Sequence, residues 1–97
     1  MADFAPTHPG EVLREDFLKP LGMSQYALAK AIGVPQIRVS EIVNGKRAVT
    51  PDTALRLARY FGTSPEFWMG MQMTYDLETA RDRFGEEIVA QVRPRAA

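Results

Sequence analysis

Apolar positions recur three and four residues apart along this chain, in short blocks punctuated by Pro and Gly. After Pro9, the residues Val12, Leu13, Phe17 and Leu18 share one helix face, and Lys19-Pro20-Leu21-Gly22 is expected to stop that helix. Ser24 reads as an N-cap for a second helix over Gln25 to Ile32, with Ala27, Leu28, Ala31 and Ile32 inward and Gly33 as its stop. Pro35 opens a third, short helix reaching Asn44, anchored by Val39, Ile42 and Val43 and ended by Gly45. Thr50 and Pro51 begin a fourth, predicted to bury Ala54, Leu55, Leu57, Ala58 and Phe61 before Gly62. Ser64 and Pro65 begin a fifth and longer helix carrying Phe67, Trp68, Met71, Tyr75 and Leu77, with Phe84 at its limit. The pattern predicts an all-α domain of five helices joined by short turns. Residues 86–92 suit a helical turn or a short strand equally, because Ile88, Val89 and Val92 are β-branched. Residues 93–97 are expected to fray.

A length of 97 residues supports one hydrophobic core, so residues 1–97 are read as a single domain. The absence of cysteine excludes disulfides, thiolate metal sites and a cysteine nucleophile. One histidine, His8, excludes a multi-histidine metal centre. No metal or cofactor site and no catalytic residue is expected. Apolar runs fall far short of the roughly 18 residues a membrane span needs. Met1-Ala-Asp-Phe-Ala5 lacks the basic and apolar regions of a signal peptide, so the expected location is the cytoplasm.

Charge is balanced overall, with 12 basic and 12 acidic side chains, but not along the chain. Residues 25–60 carry Lys30, Arg38, Lys46, Arg47, Arg56 and Arg59 against Glu41 and Asp52, whereas the flanking segments are net acidic. A basic middle points to a local anion-binding face; a solvated mixed surface is the competing reading.

The function-bearing stretch is 24–45, two short helices joined by a tight turn at Gly33, with a small residue, Ala29, where the helices cross. This is the layout of a helix-turn-helix, whose second helix is offered to the major groove of DNA. With Val39, Ile42 and Val43 inward, Gln36, Ile37, Ser40, Glu41 and Asn44 fall outward, with Arg38 at the flank. Gln pairs bidentately with adenine and Arg with guanine, Glu accepts from cytosine, and Ile37 suits a thymine methyl. Lys46 and Arg47 follow as candidate phosphate contacts, and Gln25 sits where a phosphate would meet free amide donors.

These residues resemble the helix-turn-helix of the XRE and lambda-repressor-like superfamily, and more narrowly the HigA (VapI-type) antitoxins. The resemblance rests on His8-Pro-Gly-Glu-Val-Leu13, Pro20-Leu-Gly-Met-Ser-Gln25, Gly33-Val-Pro35, Arg38-Val-Ser-Glu-Ile42, Asn44-Gly-Lys-Arg47, Thr50-Pro-Asp-Thr-Ala-Leu-Arg-Leu-Ala58, Phe61-Gly62, Ser64-Pro-Glu-Phe-Trp68 and Tyr75-Asp-Leu77. It implies a five-helix lambda-repressor-like domain with a short C-terminal extension. It further implies a homodimer that binds double-stranded operator DNA, represses its own operon and neutralises a HigB-type mRNA endonuclease toxin. By the same resemblance Gln25 touches phosphate, Gln36, Ile37, Arg38 and Glu41 face bases, and Lys46 and Arg47 grip the backbone. Dimerisation is expected within residues 64–97.

Several residues admit two readings. Arg38 reads a base or pairs with Glu41, the only acid within reach along its own helix. Lys46 and Arg47 touch phosphate or decorate a solvated turn. The Phe67, Trp68 and Met71 stripe is expected to be core, with part of it a dimer face. His8 is expected to start a helix beside Pro9 rather than to bind metal or act as a base. Glu11, Glu15 and Asp16 form an acidic edge, a candidate contact for a basic toxin rather than an acid–base pair. A stand-alone XRE-type regulator and a protein-interaction module without a toxin partner are the alternatives at the level of function. An enzyme is the least favoured.

Overall fold

The computed structural model describes residues 5–96. Residues 1–4 and 97, which include most of the N-terminal segment weighed as a signal peptide and the last of the predicted frayed end, lie outside the described residues. The first helix, α1, is continuous through three stretches, Pro9–Val12, Leu13–Leu18 and Lys19–Leu21. His8 caps it, its side chain accepting the N–H of Gly10 at 2.9 Å. The middle stretch is π-helical, and the N–H of Lys19 bonds back to the carbonyl of Arg14. The helix therefore passes through Pro20 and stops at Leu21 before Gly22, whose φ is 61°, within the Lys19–Gly22 stretch expected to end it. In a regular α-helix the Pro20 ring would meet the carbonyl four residues back; the wider π turn relieves that clash.

Helices α2 (Gln25–Ile32), α4 (Pro51–Phe61) and α5 (Pro65–Gln91) start under side-chain caps from Ser24, Thr50 and Ser64. Helix α3 (Gln36–Val43) starts differently: Pro35 is its N-cap, in extended conformation, and Gln36 is the first helical residue rather than Pro35 itself. Proline has no side-chain acceptor, so the first-turn amides of α3 have no side-chain cap.

The core is formed by Leu13 and Leu18 of α1, Leu28 and Ile32 of α2, Val39, Ile42 and Val43 of α3, Val49 from the following loop, Leu57 of α4 and Trp68 of α5. Two expected faces are rotated. In α2 it is Ala29, not Ala31, that is buried, and in α4 Leu55 is exposed. Each lies about 60° beyond the nearest member of the inward stripe, Leu28–Ala29–Ile32 in one case and Ala54–Leu57–Ala58 in the other. Phe61 is half-buried, its ring 4.8 Å from that of Phe17.

Helix α5 buries Trp68, whose indole N–H donates to Thr63 at 2.8 Å, and Gln72. It then continues as a helix to Gln91, which resolves the ambiguity over residues 86–92, and no strand occurs among the described residues. Much of its second half runs beyond the core, giving an elongated molecule of 52 × 27 × 20 Å.

Candidate nucleic-acid interface

The turn between α2 and α3 is made by Gly33, at φ 73°, and its hydrogen bonds close the C-terminus of α2: Gly33 donates to Lys30 at 3.3 Å and Val34 to Ala29 at 3.0 Å. Val39, Ile42 and Val43 fix α3 from behind, each at most 3% exposed. Helix α1 presses on the same helix through Gly10, where any Cβ would be driven into the carbonyl of Ile42. The consequence is a short rod clamped on one side by two helices, with its polar side free.

On that free side Gln36, Ile37 and Asn44 are exposed, Ile37 at 64%, while Arg38, Ser40 and Glu41 are half-buried. Lys46 and Arg47 are exposed in the turn that follows. Gln25 is half-buried, in the first turn of α2. An exposed isoleucine among hydrogen-bonding side chains has no core role, but it suits a surface that meets thymine methyl groups.

The charged members are not isolated. Arg38 does not pair with Glu41: its Nη1 lies 3.1 Å from Asp52 Oδ2 on α4. This partner stands 14 residues away in sequence, on another helix, so spacing along α3 alone does not reveal it. Glu41 instead accepts from Arg47, at 2.7 Å from Nη2 and 2.8 Å from Nε. Asp52 also accepts from Arg56 Nε, and Arg56 Nη1 donates to the carbonyl of Ile32 at 2.9 Å, the end of α2. Asp52 and Arg56 were not singled out in the sequence, although their i, i+4 acid–base spacing on α4 was a usable sign. These ion pairs are all at least partly open to solvent and individually contribute little stability.

The acidic edge of α1 is less free than its composition suggested. Glu15 pairs with Lys19 and with Arg14, both at 2.8 Å, and those hydrogen bonds hold its carboxyl below the usual carboxylate range. Glu11 and Asp16 remain exposed.

The helix-turn-helix family description matches residues 15–68. Virulence-associated protein I of Dichelobacter nodosus is 56% identical over 73 residues, which cover 75% of this chain and 68% of that protein. Antitoxin HigA-1 of Vibrio cholerae serotype O1 is 42% identical over 82 residues, 84% of this chain and 77% of that one. Among solved structures, Pseudomonas aeruginosa antitoxin HigA with the higBA promoter superposes with a TM-score of 0.91 at 43% identity, covering 94% of this chain and 99% of that chain. The chain belongs to the HigA family. In this HigA-family fold the helix-turn-helix match begins within α1 and ends at residue 68, the buried Trp68. The long exposed part of α5 lies beyond it.

Proposed function

We propose that this chain is a homodimeric antitoxin that binds operator DNA through α3, represses its own operon and neutralises a HigB-type toxin. One observation carries the DNA-binding part. Helix α3 is locked by its apolar side while Gln36, Ile37, Arg38, Ser40, Glu41 and Asn44 line the other, with Lys46 and Arg47 directly after it. That is the arrangement a major-groove reader requires. The solved Pseudomonas aeruginosa relative, which carries its promoter, supports extending the reading to this chain. On this proposal Gln36, Ile37, Arg38, Ser40, Glu41 and Asn44 of this chain meet base edges, and its Gln25, Lys46 and Arg47 meet phosphates.

Dimerisation is assigned to residues 64–97. Beyond Gln72, α5 buries no residue fully, yet Met73, Leu77, Phe84 and Ile88 are exposed along one of its faces. A second copy would cover that stripe and set two α3 helices about 34 Å apart on successive major grooves. The chain works by binding, in the cytoplasm, with no catalytic step of its own.

The test is a binding titration on the duplex upstream of its own coding region, at several salt concentrations. The expected result is tight binding that weakens steeply with salt, and loss of sequence preference in Arg38→Ala. A flat salt response, or no preference over scrambled duplex, would overturn the reading. The toxin arm is tested by co-purification with the product of the neighbouring gene; the stand-alone regulator reading predicts no such complex.

A further inference from the structure

The reading side chain Arg38 is tied to the protein at one corner only. Its Nη1 donates to Asp52 Oδ2 at 3.1 Å, and its Nε and Nη2 have no intrachain partner among the described residues. Asp52 is itself held. Arg56 Nε donates to Oδ2 at 3.1 Å and Oδ1 at 3.2 Å, and Arg56 Nη1 donates onward to the carbonyls of Ile32 at 2.9 Å and Gly33 at 3.4 Å. Those carbonyls end α2, where a cation is favoured by the helix dipole. Asp52 lies in the first turn of α4, where an anion is favoured. The relay therefore joins α2, α4 and α3 through three side chains, each link placed where its charge is stabilised.

A guanidinium reads guanine with two parallel N–H donors, and its Nε–Nη2 edge is one of the two edges able to do so. A carboxylate holding Nη1 leaves that edge open while restricting the rotation of a long, flexible side chain before DNA arrives. We propose that Asp52, fixed by Arg56, is a positioning residue for Arg38: it touches no base, yet the sequence preference of the interface depends on it. This rests on Arg38 being a base reader, as proposed above.

The test uses the full chain and fluorescence anisotropy on two duplexes, one enriched by the wild-type protein from a randomised pool and one scrambled from it. Asp52→Asn keeps the shape of the side chain and removes its charge. Its expected effect is a fall of roughly tenfold in the ratio of selected to scrambled affinity, with scrambled binding unchanged or tighter. The same ratio should be recovered in part by Asp52→Glu, and Asp52→Asn should change nothing further in an Arg38→Ala background.

A fold defect would lower both affinities and the melting temperature together, leaving the ratio intact, and would overturn the proposal. So would a rise in both affinities by one factor, the signature of simply deleting a negative charge near phosphate. A higher ratio in Asp52→Asn would show that Asp52 restrains Arg38 away from DNA, which also overturns it. If Arg38→Ala itself leaves the ratio unchanged, the base-reading role of Arg38 fails, a result distinct from Asp52→Asn being silent while Arg38→Ala is not.

Discussion

The side-chain carbonyl of Gln72 accepts the N–H of Val49 at 2.8 Å inside the core. The other end of the Gln72 amide donates to Asp76 at 2.9 Å, one turn further along α5. A helix that the sequence marks as apolar thus uses a polar residue to pin the loop after Arg47. Replacing Gln72 by Leu leaves a buried donor without a partner, which costs about 1–3 kcal/mol. Urea denaturation should show the midpoint falling by that amount, and a neutral result would mean the loop is held by Val49 packing alone.

Gly10 and Gly70 make a paired test of close approach. Gly10→Ala forces α1 away from the Ile42 carbonyl, an overpacking expected to cost about 1–3 kcal/mol or more. Because the displaced neighbour is the recognition helix, DNA binding should weaken as well. A Cβ at Gly70 meets nothing within 4 Å, and Gly70 is inside a helix, so Gly70→Ala should stabilise by about 0.5–1 kcal/mol. Thermal melts of the two variants should move in opposite directions.

His8 gives the stability a pH dependence of known sign. Burial holds its imidazole below the ordinary value of 6.5, against the opposite pull of Asp76 and the Arg47 backbone. Its Nδ1 accepts the Gly10 N–H, which only an unprotonated Nδ1 can do. The unfolded chain therefore takes up the proton more readily than the folded one. The stabilisation is present above 6.5 and is lost as pH falls from there through the lower folded value. The melting temperature should drop between pH 8 and 5, and His8→Asn, which can still cap the helix, should flatten that part of the profile.

The apolar stripe of α5 predicts the oligomeric state. Phe84→Glu with Ile88→Glu should convert the dimer to a monomer by light scattering, with the melt of the five-helix core little changed. DNA affinity should fall, because each half-site is then bound alone. A dimer that survives both changes would move the interface off this helix.

Salt separates the two kinds of DNA contact. Lys46→Ala should weaken all duplexes alike and reduce the slope of log affinity against log salt by about 1. Arg47 is shared with Glu41, so Glu41→Gln should free it and strengthen scrambled-duplex binding. Unchanged slopes in both variants would place the phosphate track elsewhere.

The helix count, the position of the helix-turn-helix and the inward residues Val39, Ile42 and Val43 were legible in the sequence. Local chemistry dictates them: Ser24, Thr50 and Ser64 cap, Gly33 and Gly62 stop, and apolar spacing selects a face. The stop of α1 within Lys19-Pro20-Leu21-Gly22 was legible too, but the π-helical stretch before it was not, because a π register is invisible to a pattern counted in α-helical turns. The rotated faces at Ala31 and Leu55 have another cause, since an apolar residue at the border of a stripe is buried only if a neighbouring helix arrives to cover it.

By itself, then, the sequence determined which segments are helical and which stretch offers a polar rod to a groove, because capping, turn formation and amphipathicity act over a few residues. Which charges meet was decided only in three dimensions. Arg38 finds Asp52, Arg56 finds the end of α2, and Gln72 finds Val49 across 14 to 24 positions of chain. Such partners depend on how helices cross, and crossing is set by the whole core rather than by any one segment.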